Sequence, residues 1–165
     1  MAGMMRVAAI AAAGAWLAAC ASGPKPGASH ASGTMRPYQV NGTWYRPANQ
    51  PHYDETGYAS WYGVQGGYHT TANGEKLDDH VASAAHRTLP LPCVVEVTNL
   101  DNGRTVRLRV NDRGPFRRDR ILDVSKRGAE ELGFLGKGTA HVRVRYVGPA
   151  GAGMDYAQAS TPDAN

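Results

Sequence analysis

The stretch VVEVTNLDNGRTVRLRV, residues 94–110, decides the fold class of this chain. Polar and apolar side chains alternate on both sides of Asp101-Asn102-Gly103, and the apolar positions are Val95, Val97, Val106, Leu108 and Val110. Alternation with a period of two is typical of a strand with one buried face, and a turn sequence with Asn-Gly between two such runs is typical of a hairpin. The stretch therefore predicts a β-hairpin with one apolar face.

Three other stretches continue this strand pattern. Aromatic and β-prone residues fill 56–62, apolar residues surround Asp123 in 121–124, and apolar residues alternate with polar ones in 141–147. Runs of this length and composition, bounded by turn residues, predict short strands. We expect 56–62 to be the first strand of a barrel.

One helix is expected beside these strands. Ser125 suits the N-cap, residues 126–132 form the body, and Gly133 suits the left-handed position that ends a helix. The 165 residues include 20 glycines and 10 prolines but only 2 phenylalanines, which disfavours a helical bundle. Short strands with one short helix predict a mainly β fold closed into a small barrel, because closure removes exposed sheet edges.

The first residues have the form of a signal peptide. The short apolar run 7–19 ends in the lipobox-like sequence Leu17-Ala18-Ala19-Cys20. We therefore expect residues 1–19 to be a lipoprotein signal peptide and Cys20 to carry a lipid anchor. The alternative is an ordinary secretory signal with a chance cysteine. The residues after Cys20 lack the Asp that retains some lipoproteins in the inner membrane, which favours the outer membrane of a Gram-negative cell envelope.

Composition divides the remaining chain. Residues 20–37 are small and polar and predict a flexible tether, and residues 149–165 predict a disordered tail for the same reason. The folded domain is therefore expected over 38–148, with disordered termini on both sides. Cys93 has no partner once Cys20 is acylated, and we expect it to be a buried thiol without chemistry.

The charge of the chain bears on its partners. The formal net charge is +4, and arginines gather between Arg104 and Arg127. A basic patch can bind nucleic acid, but no basic motif interleaved with aromatic residues is present. An anionic envelope polymer or a lipid headgroup is the expected partner, and no nucleic acid is expected.

Three polar motifs lie in turns at the ends of predicted strands, where a barrel displays functional groups. They are TANGE at 71–75, AAHRTLP at 84–90 and VNDRGPF at 110–116. Taken singly, each motif is ordinary turn chemistry, and its carboxylates are solvated or cap backbone amides. The three motifs follow ASWYG at 59–63 and precede the segment 120–133, in an order and spacing typical of one family.

On these motifs the chain resembles the rare lipoprotein A family of septal-ring-associated lytic transglycosylases over residues 37–147. The resemblance implies a six-stranded double-psi β-barrel with an acidic residue in a polysaccharide groove. It also implies that the chain cleaves peptidoglycan glycan strands, preferably peptide-free, to give 1,6-anhydro-N-acetylmuramic acid ends. Cell-wall remodelling and daughter-cell separation are the processes that this activity serves.

The family's implicated residues fall on Glu75, Asp112 and His86, which we therefore expect to be catalytic. Cleavage of a glycosidic bond needs a carboxylic acid that protonates the leaving oxygen. Asp112 is the choice for acid and base, because it leaves a strand for a Gly-Pro turn and should be held more rigidly than Glu75. His86 either orients a carboxylate or ties loops together.

Substrate contacts are expected from aromatic and polar residues of the same motifs. These residues are Tyr62, Tyr68, Asn73, Asn111 and Arg113. The reaction needs no cofactor. A metal site built on His69 and His86 has no recognisable ligand spacing, so none is expected.

Two other functions remain open at this point. The barrel can hold a glycan without cleaving it, which would make the chain a non-catalytic peptidoglycan-binding lipoprotein, or it can act as a hydrolase similar to barrel endoglucanases. Many family members carry a C-terminal sporulation-related repeat domain, and the residues after Gly148 do not predict one. Septal targeting is therefore not expected from this sequence, and partners among envelope or division proteins stay unknown.

Overall fold

A computed structural model of the chain describes residues 31–63 and 70–151. Within these ranges the elements are α1 Ala31–Thr34, β1 Tyr38–Val40, β2 Thr43–Tyr45, β3 Asp54–Tyr62, β4 Ser83–Ala85, β5 Cys93–Asn99, β6 Thr105–Asp112, β7 Leu122–Ser125, α2 Lys126–Leu132 and β8 Thr139–Pro149. Six of the strands form a closed barrel in the order β3-β7-β4-β6-β5-β8. The predicted mainly β barrel with one short helix packed on it is confirmed, and the single turn α1 lies outside it.

The hairpin predicted from 94–110 is present as β5 and β6. Its register runs from Cys93 opposite Val110 to Thr98 opposite Thr105. Gly103 has a φ of 75°, the left-handed conformation that the turn requires and that glycine adopts at no steric cost. The local turn sequence thus sets the register of the best-predicted pair of strands.

The barrel interior is filled by the alternating apolar residues. At most 1 % of each side chain in this set is exposed: Val95, Val97, Val106, Leu108, Val110, Leu122, Val124, Val142 and Val144. Burying one such side chain stabilises the fold by about 1.5–3 kcal/mol. Cys93 belongs to the same core, and burial raises the pKa of its thiol to about 12. The predicted buried thiol is therefore confirmed.

Helix α2 has both predicted caps. The Ser125 hydroxyl accepts a hydrogen bond from the Gly128 amide at 3.2 Å, and Gly133 has a φ of 73°. The same hydroxyl accepts from the Ser83 amide at 3.0 Å and donates to the Val81 carbonyl at 2.7 Å. Ser125 therefore joins the start of the helix to β4, the shortest strand of the barrel.

Replacing Ser125 with Ala is expected to lower the free energy of unfolding by about 2–3 kcal/mol, because a cap is lost and buried backbone groups lose their partner. Urea denaturation of the purified full-length chain measures this change. Thr43→Ala on the exposed β1–β2 hairpin is the control, with a change below about 0.5 kcal/mol. Equal stability of the two variants would contradict the role given to Ser125.

Two features of the fold were not predicted. Strand β4 consists of three small buried residues, and the hairpin β1–β2 packs its Tyr45 ring 5.6 Å from the ring of Phe116. Residues 31–37, predicted as the end of a tether, already contact the barrel, since the Thr34 hydroxyl donates to the Leu91 carbonyl at 3.1 Å. Ordered contacts thus begin before the expected boundary at Tyr38.

Several predictions concern residues that the structure does not describe. The signal peptide 1–19, the acylated Cys20, most of the tether and the tail after Gly151 lie outside the described residues. Across 31–63 and 70–151, no helix has the length and apolar character needed to cross a membrane.

Candidate active site

The TANGE motif forms a turn that is attached to the end of β6. The Gly74 amide donates to the Thr71 carbonyl at 2.9 Å, and the Thr71 amide donates to the Glu75 carbonyl at 2.8 Å. The Asn73 amide donates to the carbonyl of Asn111 at 3.2 Å. These bonds bring the TANGE and VNDRGPF motifs together, as the expected site requires.

The Glu75 carboxylate is surrounded by donors. Asn111 Nδ2 donates to Oε2 at 2.9 Å, Asn73 Nδ2 donates to Oε1 at 2.8 Å, and the Arg109 guanidinium pairs with both oxygens. The bonds from Arg109, followed by those from the two asparagines, lower the pKa of Glu75 to about 2. Glu75 is therefore a fixed negative charge near neutral pH.

Asp112 is held through only one of its oxygens. Oδ1 accepts from the Arg113 amide at 2.7 Å and from the Ala72 amide at 2.9 Å, whereas Oδ2 accepts no hydrogen bond from a described residue. Asp112 thus combines a fixed position with an oxygen that is available to a ligand. Glu75 accepts more hydrogen bonds than Asp112 does, so these contacts do not support the expectation that Asp112 is held more rigidly, and the choice of acid stays a prediction.

His86 is buried and does not contact either carboxylate among the described residues. Its Nδ1 accepts from the amides of Thr88 at 3.2 Å and Leu89 at 3.0 Å, so the proton is assigned to Nε2, which lies 3.0 Å from the Tyr53 hydroxyl. Burial, and then the nearby Arg87 and Arg113, lower the pKa of His86 to about 3. The geometry fits the loop-tying alternative and does not support direct catalysis.

Arg113 also serves the fold. Its Nη1 donates to the carbonyls of His86 at 3.1 Å and Leu89 at 2.7 Å, and its Nη2 donates to the Thr34 carbonyl at 2.6 Å. The guanidinium lies 5.8 Å from the centre of the Tyr38 ring. Because its donors are engaged by the protein, the expected substrate contact is not supported by this geometry.

The other expected substrate residues have different positions. Tyr62 is half-buried with its hydroxyl 3.4 Å from Ser83 Oγ. Burial, opposed by that bond and aided by the negative charges of Asp112, Asp123 and Asp79, raises its pKa. Tyr62 therefore lies among the acidic side chains.

The two asparagines expected to contact substrate, Asn73 and Asn111, orient Glu75. The buried Asn111 Oδ1 has no hydrogen-bond partner in the described part of the chain. Tyr68 lies outside that part.

A cluster around Asp123 was not assigned a role from the sequence. Ser60 Oγ donates to Asp123 Oδ1 at 2.7 Å, and Arg120 Nε lies 3.3 Å from the same oxygen. Burial raises the pKa of Asp123 despite the opposing effects of Ser60 and Arg120. The one sequence signal was a carboxylate in the middle of the apolar strand 121–124.

Within the described ranges, no group of three or more His, Cys, Asp or Glu side chains is arranged to bind a metal ion. The polar groups of the site are instead carboxylates, amides and a guanidinium. Such a donor set suits hydroxyl and amide groups of a sugar chain.

Comparison with known proteins identifies the fold and the family. Residues 54–144 match the family model described as "Lytic transglycolase". The chain belongs to the RlpA family. It is 50% identical over 113 residues to the "Endolytic peptidoglycan transglycosylase RlpA" of Rickettsia prowazekii (strain Madrid E), covering 67% of this chain and 35% of that protein.

A second RlpA protein, from Neisseria meningitidis serogroup A, is 50% identical over 121 residues, covering 73% of this chain and 50% of that protein. The chain thus spans about a third to a half of the length of these relatives. Among solved structures, the Streptomyces papain inhibitor is similar in fold, with a TM-score of 0.50 and 24% identity over 61% of this chain and 99% of that one. The double-psi β-barrel and the family are therefore as expected.

Proposed function

We propose that this RlpA-family chain is an endolytic peptidoglycan transglycosylase that cleaves glycan strands to give 1,6-anhydro-N-acetylmuramic acid ends. The observation that carries the proposal is Asp112, whose Oδ1 is fixed by two amides while Oδ2 is open. A glycan-binding protein needs no such pre-oriented carboxyl beside a permanent anion. The names of the relatives support the same activity.

The chemistry needs proton exchange and charge stabilisation. In lytic cleavage the C6 hydroxyl of N-acetylmuramic acid attacks C1 of the same sugar, so the leaving oxygen gains a proton and the C6 oxygen loses one. Asp112 exchanges a proton with the sugar through Oδ2. Glu75, held ionised by Arg109, stabilises the positive charge that develops at C1. We expect Tyr62 and the open Asp112 oxygen to contact the sugar, whereas the buried Asn111 acts by holding Glu75 in place.

Analysis of the reaction products tests the proposed function. The full-length chain is incubated with purified sacculi and with peptide-free strands in ¹⁸O-labelled water, and the products are measured by mass spectrometry. We expect 1,6-anhydro ends without the label, and more product from peptide-free strands. Labelled reducing ends would show hydrolysis instead. Retained binding without any product would support the non-catalytic peptidoglycan-binding alternative.

We also propose that Cys20 anchors the chain to the cell envelope, with the outer membrane of a Gram-negative host as its site. The basis is the lipobox-like sequence before Cys20 and the absence of Asp after it. The anchor would place the barrel on the periplasmic side, within reach of peptidoglycan.

Replacing Cys20 with Ala is therefore expected to leave the precursor unprocessed or to move the protein out of the detergent phase. Acylation contributes about 0.8 kcal/mol per buried methylene, and this contribution is absent in the variant. Phase partition in Triton X-114 and immunoblotting of cell fractions measure the change. Cys93→Ala is the matched cysteine control and should partition like the wild type. Unchanged membrane partition of Cys20→Ala would overturn the lipobox interpretation.

A further inference from the structure

Four neighbouring strands place one residue each in a row on the side of the sheet that faces away from the barrel core, and two of these residues, Ser60 and Ala85, are buried. The register pairs Ser60 on β3 with Asp123 on β7, Asp123 with Ala85 on β4, and Ala85 with Asp112 on β6. Residues paired in this way point to the same side of a sheet. Their neighbours Ala84, Val110 and Val124 form the next row and are buried in the core, so the row of Asp123 and Asp112 faces outward.

A β-bulge creates this alignment. The pairing of β4 with β6 passes from Ala84 opposite Val110 to Ala85 opposite Asp112, and it skips Asn111. A bulge adds one residue on one strand and redirects the following side chain. Asn111 is thereby left for Glu75, while Asp112 comes level with Asp123.

The two aspartates lie on strands that are separated by a single strand, so their side chains start close enough to reach one glycosidic bond. They are separated by β4, so their backbones lie two strand spacings apart, roughly 10 Å. The residue between them is Ala85, a small side chain that is itself buried. Carboxyl groups that flank a scissile glycosidic bond are about 5 to 9.5 Å apart.

The surroundings of the two carboxyls differ. Asp112 is exposed to ligands at Oδ2, whereas Asp123 is held by Ser60 and by Arg120, with only a 3.4 Å contact from Arg120 Nη2 to Asp123 Oδ2. Oδ2 is therefore the less strongly engaged of the two Asp123 oxygens. Asp112 is thus the more open carboxyl group and Asp123 the more buried one. In glycosidases, two carboxyl groups in such different surroundings can take the separate roles of base and acid.

Burial is the main reason why the pKa of Asp123 is raised. The groups around it that oppose or add to this effect are Ser60, Arg120 and Arg87, which lower the pKa, and Asp119, which raises it. The Tyr62 hydroxyl on β3 is near enough that the negative charges of Asp112 and Asp123 help to raise its own pKa. A bound sugar would exclude water from the Asp123 carboxyl and raise its pKa further, which favours the protonated form.

We propose that Asp123 is the general acid of glycan cleavage and that Asp112 is the base, an assignment that rests on the proposed transglycosylase function. The Asp123 proton passes to the glycosidic oxygen as the bond from C1 to that oxygen breaks. The C6 oxygen then bonds to C1, and the C6 hydroxyl proton passes to Asp112 Oδ2. Exchange with solvent returns both carboxyls to their starting states, so no co-reactant is consumed.

The stereochemistry of the product agrees with two carboxyl groups on the same face of the sheet. The 1,6-anhydro bridge forms only on the face of the sugar ring that carries C6, and the β-linked leaving group departs from that same face. Acid and base must therefore approach from one side. Asp112 and Asp123 meet this condition because both lie in one outward row. An inverting hydrolase instead needs its carboxyls on opposite sides of the sugar ring.

The test compares full-length wild type, Asp123→Asn, Asp112→Asn and the control Asp101→Asn, an exposed hairpin residue paired with Lys137. On peptide-free strands, Asp123→Asn should lower the turnover rate at least about a hundredfold. Its residual rate should no longer decline at alkaline pH, and strand binding should stay within about twofold of wild type. Asp101→Asn should match the wild type in rate and pH profile.

A substrate with a good leaving group separates acid from base. A 4-nitrophenyl glycoside of a GlcNAc–MurNAc oligomer needs no proton on its leaving oxygen, so Asp123→Asn should recover to within about tenfold of the wild-type rate. Asp112→Asn should remain impaired. Ser60→Ala is a second, milder variant: loss of a bond that lowers the Asp123 pKa should move the alkaline limb of the pH profile to higher pH.

Three results would overturn the assignment. The first is an Asp123→Asn variant with the rate and pH profile of the wild type. The second is an equal loss of rate in Asp123→Asn and Asp112→Asn on the nitrophenyl substrate. The third is a Ser60→Ala variant in which the alkaline limb of the pH profile does not move. Each of these leaves the proposed function intact, because the wild type still releases anhydro ends. A wild-type chain that releases none would overturn the proposed function and this assignment together.

Discussion

Replacing Asp112 with Asn is expected to lower the rate of glycan-strand cleavage by roughly a hundredfold to ten-thousandfold, the range typical of a lost general acid or base. The amide keeps the shape of the carboxylate, and its oxygen can still accept from the amides of Ala72 and Arg113. It cannot take up a proton from the C6 hydroxyl. The change therefore removes chemistry and leaves the fold in place.

The measurement is the rate of 1,6-anhydro product release from peptide-free strands at saturating substrate, with strand binding measured in parallel. Binding should survive within a few-fold. Asp54→Asn is the matched control, because Asp54 is an exposed carboxylate on β3 paired with Arg143 on the barrel wall. If Asp112→Asn cleaves strands as fast as Asp54→Asn does, Asp112 has no part in proton exchange.

The parts of the fold that follow from local sequence could be predicted. The β5–β6 hairpin depends on alternation and on the turn ending in Gly103, and the ends of α2 depend on Ser125 and Gly133. These signals act within a few residues of one another. Strand β4 has no such signal, because its three small residues are fixed by pairing with β6 and β7 from both sides.

In the candidate site, too, the features that depend on local sequence could be predicted, and those that depend on distant parts of the chain could not. Motifs identified Glu75 and Asp112, but the roles of neighbouring residues depend on burial, which a motif does not contain. His86 and Arg113 belong to the motifs, and the structure shows that their polar atoms bond to loop and N-terminal backbone or to Tyr53. Motif membership alone therefore overestimates the number of residues that face the substrate.

The alignment of Asp123 with Asp112 could not be read from the sequence for a different reason. It arises from two strand pairings and a bulge between Ala84 and Ala85, and each of these joins segments that are distant along the chain. A carboxylate in an apolar strand was visible, but its partner was not. Register across a barrel is a property of the closed structure and not of any one strand.

The pairing of Glu75 with Arg109 has a consequence for stability at low pH. The pKa of Glu75 in the fold, about 2, lies below its unpaired value of 4.5. The contribution of this pair is therefore present above the unfolded-state pKa and is lost as the pH falls toward the folded value. Because the carboxylate is partly exposed, solvent screening keeps this contribution modest.

Replacing Glu75 with Gln is expected to slow strand cleavage by about a hundredfold, equivalent to roughly 3 kcal/mol for one lost stabilising interaction in a transition state. Glutamine keeps the shape of the side chain but has a single acceptor oxygen, so it loses the bond from either Asn73 or Asn111 together with the negative charge beside the developing positive charge at C1. Initial rates of anhydro-end release measure the effect. Glu96→Gln is the matched control, since Glu96 also pairs with arginines, Arg107 and Arg145, on the barrel wall.

Glu75→Gln loses a charge that Arg109 faces, so it should lose some stability at neutral pH, and its acid unfolding should begin from that lower level. Only Glu75→Gln should also lose rate, because only Glu75 lies beside Asn111 and the end of β6. Equal rates in the two variants would show that the Glu75 charge stabilises the turn and takes no part in the reaction. A rate loss in Glu75→Gln that high salt abolishes would instead point to long-range attraction of the substrate, since the screening length falls to about 3 Å at 1 M salt.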